Sequence, residues 1–122
     1  MDIVISTHSD KPIYAQIVEQ ISAQILRGSL PAGSALPPIR SVARQLEVSV
    51  ITVKKAWEEL ERAGLIDAIV GKGSFVADHQ ATALDGKREA VALERLGKDL
   101  DFYRGLGLTQ EEYIALVRKV YR

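Results

Sequence analysis

The amino-acid sequence predicts a mainly α fold with one small β-hairpin. Three observations carry this. Apolar residues recur at helical spacing in three short segments between residues 12 and 63. A stretch rich in β-branched residues follows, interrupted by Gly71-Lys72-Gly73. From about His79 the composition then shifts to a helix-friendly tail. A length of 122 residues suits one ordinary domain, or a small domain with a helical appendage. With 47% hydrophobic and 26% charged residues the composition is globular. No apolar run approaches the roughly 20 residues that span a membrane, and the N-terminus lacks the plan of a signal peptide. The absence of cysteine excludes disulfides, thiolate metal sites and cysteine nucleophiles. A cytoplasmic protein is the simplest expectation.

The first helix is expected to open at Asp10-Lys11-Pro12, with Asp10 as N-cap and Pro12 in the first turn. Tyr14, Ile17, Val18, Ile21 and Ile25 form its apolar face, and Gly28 stops it. Leu30 to Ser34 is a turn-rich link. Leu36 precedes a proline and is biased away from helix, so a second helix starts near Pro38 and buries Ile39, Val42, Ala43 and Leu46. A turn at Glu47-Val48-Ser49 leads to a third helix, capped by Ser49 and running to about Ala63. Val53, Ala56, Trp57 and Leu60 are its core stripe, and Gly64 ends it. Leu65 to Val70 and Ser74 to Val76 read as hairpin strands around the glycine-rich tip. The tail, Ala81 to Arg104, is expected to be interrupted at Gly86 and Gly97, with breaks at Gly105 and Gly107. Thr109 and Glu112 make a capping box for a last helix carrying Tyr113, Ile114, Val117, Val120 and Tyr121.

Two short helices joined by a tight turn and followed by a hairpin make a winged helix-turn-helix. Net charge is zero, but between Arg40 and Lys55 four basic residues (Arg40, Arg44, Lys54, Lys55) face one acid, Glu47. Such a locally basic end suits a nucleic-acid surface. Val50 and Ile51 fall on the solvent side of the third helix, odd for a structural helix and apt for thymine methyls or the sugar-phosphate edge. In the tail, Leu93, Leu96, Leu100 and Tyr103 fall at three- and four-residue steps. With Tyr113 and Val117 they form a seam for pairing with a second copy.

Pro12-x-Tyr14-x-Gln16-Ile17, Gly28, Gly33, Leu36-Pro37-x-x-Arg40, Ala43, Leu46, Val48-Ser49, Thr52-Val53, Ala56, Leu60, Gly64 and Gly71-x-Gly73-x-Phe75-Val76 resemble the DNA-binding domain of the GntR family over residues 10 to 77. The short tail, 78 to 122, resembles that of the YtrA subfamily. The resemblance implies a homodimeric bacterial transcription regulator, usually a repressor, often encoded beside transporter genes and acting on a double-stranded, pseudo-palindromic operator. It also implies DNA contacts at Arg40, Ser49, Val50, Thr52 and Lys54, and at the wing tip of Gly71, Lys72 and Gly73. Lys55 joins the set as a phosphate contact. The sequence departs from the family pattern at Pro38, Glu47 and Val50, where relatives carry serine, glycine and, in several cases, a guanine-reading arginine.

An enzyme is not expected: no Ser-His-Asp set, nucleotide loop or paired carboxylates appear. No cofactor is implied. His8 and His79 lack metal-ligand spacing, so no metal site is expected either. Trp57 reads as core. The tail tyrosines leave room for a small-molecule effector of unknown identity. Two alternatives stay open: a winged helix used as a protein-protein adaptor, and an activator or architectural DNA-binding protein without an inducer.

Overall fold

The structure, a computed structural model, describes residues 1–78 and 81–122. The chain divides into two compact units, Met1–Leu84 and Asp85–Arg122. In the first unit the elements run α1 (Ile13–Leu26), α2 (Ile39–Leu46), α3 (Val50–Arg62), β1 (Ile66–Ile69) and β2 (Gly73–Val76). Helix α3 is the hub, packing against α1, α2 and β1. Ile17, Ile21 and Ile25 of α1, Val42 and Ala43 of α2, Val53, Ala56, Trp57 and Leu60 of α3, and Leu65, Ile66 and Val76 of the hairpin close one core. All four residues expected on the α3 stripe are buried, because a four-residue repeat at about 100° per residue keeps them on one side.

Helix α1 starts later than its sequence suggests. Pro12, extended at ψ 151°, occupies the cap position and makes no side-chain cap bond, which leaves Asp10 outside the helix. Extended backbone at the proline moves the first helical residue to Ile13, beyond reach of an Asp10 cap. The α1 surface holds a further feature. Gln16, Gln20 and Gln24, one turn apart, grip the extended N-terminal segment at every second residue. Gln16 Oε1 accepts from Ser6 N (2.8 Å), and its Nε2 donates to Ser6 O and Lys11 O (3.0 Å each). Gln20 exchanges both bonds with Val4 (2.8 and 2.7 Å), and Gln24 Nε2 donates to Asp2 O (2.6 Å). Between these rungs Ile3 and Ile5 pack against the core.

Helix α2 ends in a Schellman pattern: Val48 N donates to Ala43 O and Glu47 N to Arg44 O. The left-handed position is filled by Glu47 (φ 56°, ψ 44°), the one non-glycine residue with positive φ among those described. Helix α3 ends the same way with Gly64 at φ 74°, its amide bonding Glu61 O, while Leu65 N reaches Leu60 O.

The strands pair antiparallel in the register Ile66↔Val76, Asp67↔Phe75, Ala68↔Ser74 and Ile69↔Gly73. The tip is a turn closed by Lys72 N to Ile69 O (2.9 Å). Gly71 at φ 78° follows Val70, which keeps a negative φ, the signature of a type II turn. A third lane lies along β2: Gly33 N donates to Val76 O, Val76 N to Ser34 O, and Leu36 N to Ser74 O, all within 2.8–2.9 Å.

Helix α4 (Ala81–Gly105), which begins in the last residues of the first unit and makes up much of the second, is one helix of 25 residues, so the expected interruptions do not occur. Gly86 and Gly97 meet no neighbour within 4 Å and keep helical backbone. A lone glycine costs a helix only about 1 kcal/mol against alanine, and the surrounding Ala, Leu, Glu, Lys and Arg carry the helix through. Gly107, at φ 83°, is where the chain turns. Helix α5 (Gln110–Val120) opens with the expected capping box: Glu112 N donates to Thr109 Oγ1 (3.2 Å) and Thr109 N to Glu112 Oε1 (3.1 Å). Tyr103 and Tyr113 meet at a tilt of 54° with 5.2 Å between centroids, and Phe102 meets Tyr103 edge-on at 5.3 Å. None of the α5 residues is buried, and Leu93, Leu96, Ile114, Leu116 and Val117 stay exposed.

Candidate nucleic-acid interface

The helix-turn-helix is built by two caps meeting at one turn. Glu47 takes the left-handed position that releases α2, and two residues later Ser49 starts α3. The Ser49 hydroxyl accepts from Thr52 N (3.1 Å) and lies 2.8 Å from Thr52 Oγ1. Both hydroxyls expected to meet DNA are thus engaged with each other, and Ser49 is first of all a cap. The expectation of polar readers at this turn overlooked that mutual bond; the serine-to-threonine spacing of three was its signal.

Arg40 is the second residue of α2 and is exposed. The segment leading into it is tied to β2 by the Gly33–Leu36 lane, so the wing and the start of α2 are held in one frame by backbone bonds. No sequence signal marked this link. Val50 and Ile51 open α3 and are exposed; Thr52 is half-buried; Lys54 and Lys55 are exposed. The Lys55 ammonium sits 3.9 Å above the Tyr14 ring of α1, a cation–π contact that draws it to the flank of the helix. Lys72 and both wing glycines are exposed, with Gly71 and Gly73 at φ 78° and 104° where a side chain would be strained.

The distribution of paired and free cations distinguishes this face. Lys11 is bound to Glu19, Arg62 to Glu59, and Arg27 donates to Ser29 Oγ. Arg40, Arg44, Lys54 and Lys72 make no ion pair or side-chain hydrogen bond among the described residues. All four lie on the helix-turn-helix or the wing. A domain whose charges nearly balance therefore presents its unneutralised positive charge along one connected pair of elements.

No group of His, Cys, Asp and Glu able to hold a metal occurs among the described residues. His8 is exposed, and His79 lies outside the described residues. No helix among the described residues is long and apolar enough to cross a membrane. In the second unit a hollow of about 490 Å³ is lined by Tyr103, Tyr113, Leu116, Val117, Val120 and Tyr121, with Arg122 at its edge.

Three helices, a wing laced to the entry of the second helix, and free cations on both define a winged helix-turn-helix DNA-binding regulator. The chain belongs to the family of bacterial regulatory proteins called the gntR family, whose model matches residues 13–76. It is 37% identical over 90 residues to the HTH-type transcriptional repressor YtrA of Bacillus subtilis, covering 73% of this chain and 69% of that one. A GntR family transcriptional regulator from Listeria monocytogenes superposes with a TM-score of 0.76 at 31% identity, covering 92% of this chain and 97% of that one. The structure of AraR(DBD) in complex with operator ORX1 matches with a TM-score of 0.56 at 30% identity, covering 63% of this chain and 96% of the other. These relatives are transcription regulators, not enzymes.

Proposed function

We propose that this protein is a homodimeric transcriptional repressor of the YtrA type that binds a pseudo-palindromic operator in the cytoplasm. Residues 10–77 dock on the duplex, and residues 78–122 join the two copies. The observation that carries the DNA-binding part is the set of free cations on the helix-turn-helix (Arg40, Arg44, Lys54) and on the wing tip (Lys72). Helix α3 enters the major groove by its N-terminal end, Arg40 meets the groove edge or backbone, and the Gly71-Lys72-Gly73 tip flanks the minor groove. Lys55 contributes to a phosphate once it leaves Tyr14. The seam of Leu93, Leu96, Leu100, Tyr103, Tyr113 and Val117, with Leu93, Leu96 and Val117 exposed and the other three half-buried, supports dimerisation, because contiguous exposed apolar residues mark a surface that a partner covers. Transporter genes are the targets that the YtrA-type resemblance suggests.

An effector of unknown identity has a place in this scheme. The tail hollow has the size of small-molecule sites and is mostly apolar with tyrosine hydroxyls at hand. A ligand held there in one dimer geometry would shift the operator-binding population.

The test is a titration of the protein against its own upstream region with a scrambled competitor, repeated across salt. If about 6–10 phosphates are neutralised per dimer, affinity falls about 10³–10⁵-fold between about 50 and 200 mM salt. An affinity that ignores salt, or one equal for the scrambled duplex, overturns the reading. A protein-protein adaptor would leave DNA unbound in the same titration, and a reporter in a deletion strain separates repressor from activator.

A further inference from the structure

The first turn of α3 combines two properties that a surface helix has no structural reason to combine. Its polar side chains are already engaged, since Ser49 caps Thr52 N and the two hydroxyls bond each other. Its outward side chains are apolar: Ile51 is 79% exposed and Val50 44%. The buried stripe at Val53, Ala56, Trp57 and Leu60 lies on the other side of the helix from Ile51, so Ile51 does nothing for the core. Free cations lie on the same motif, with Lys54 one turn along α3 and Arg40 and Arg44 on the partner helix. A patch of this kind, apolar at the centre and cationic around it, matches the edge of a T-containing duplex. The thymine C5-methyl is the apolar group that the major groove displays, and phosphates line both sides.

We propose that Ile51 is a base-reading residue that recognises the 5-methyl group of a thymine. The side chain suits the task because a β-branched residue on a helix has one strongly preferred χ1 rotamer and little freedom to lose on contact. This rests on the DNA-binding reading above and deepens it: it names the group read at one position of each half-site.

The test uses wild-type protein to select duplexes from a randomised DNA pool. The best duplex is then remade with deoxyuridine in place of each thymidine in turn, which removes one methyl group and nothing else. At one position per half-site, affinity is expected to fall about fourfold, the worth of one buried methyl. Ile51→Ala, which unfolds at the wild-type temperature because the residue is exposed, should bind the thymidine and deoxyuridine duplexes equally at that position. The overturning results are a wild-type protein indifferent to every methyl, or Ile51→Ala keeping the wild-type sensitivity; either leaves DNA binding itself standing. Failure to select any duplex overturns the DNA-binding reading and the proposal with it.

Discussion

The two units of this chain treat their apolar residues in opposite ways. In Met1–Leu84 every stripe finds a partner within the same chain: α3 gives its buried face to α1, α2 and β1 at once. In Asp85–Arg122 α5 carries a comparable stripe, yet none of its residues is buried, and α4 keeps Leu93 59% exposed and Leu96 41% exposed. A helical apolar stripe is thus present in both, and closure is not. A regular apolar face announces that something covers it without saying whether the cover comes from the same molecule. The first unit answers the question itself, whereas the second supports the dimer proposed above.

Substitutions can break or sharpen this contrast. The largest expected effect is on the closed unit: Leu60→Ala should cost about 2–5 kcal/mol in denaturant unfolding, as cavity-forming changes at fully buried leucines do. Leu93→Glu with Leu96→Glu should leave the unfolding of residues 1–78 unchanged and turn the sedimenting species from dimer to monomer. Dimer retained after that double change would remove the tail from the assembly. Arg40→Ala should weaken operator binding about 10–100-fold, the range of one good base or charge-assisted contact, with no loss of thermal stability. Ser49→Ala should cost about 0.5–2 kcal/mol in unfolding, since it removes the cap of α3. The smallest effect runs the other way: Glu47→Gly should raise stability by about 1 kcal/mol by relieving a side chain held at φ 56°.

The elements legible in the sequence were those decided locally. The α3 stripe, the Ser49 cap, the Gly28 and Gly64 stops and the Thr109–Glu112 capping box each depend on residues within one or two turns. Their spacing carries the physics. The features that escaped are non-local or polar. The Gly33–Leu36 lane is made by main-chain groups, which every residue possesses, so no side-chain pattern records it. Gln16 and Gln24 are buried, yet a hydropathy reading assigns glutamine to the surface. At Gly86 and Gly97 the local signal was real but small, and the surrounding helix formers outweighed it. For the interface, the basic residues could be read off directly. That Lys55 rests on Tyr14 could be seen only once the helices were placed.

The glutamine rungs on α1 act as a vernier. Four residues of helix advance about 6.0 Å, while two residues of extended chain advance about 6.6 Å, so the two scales slip by about 0.6 Å per rung. The fit to the segment is double at Gln16 and at Gln20 and reduced to one bond at Gln24. A fourth rung would fall on Gly28, which lies beyond the helix and has no side chain. A slip of one residue would turn Ile3 and Ile5 outward and bring Asp2, Val4 and Ser6 inward in their place. Two mismatched rulers therefore locate the segment at a single register.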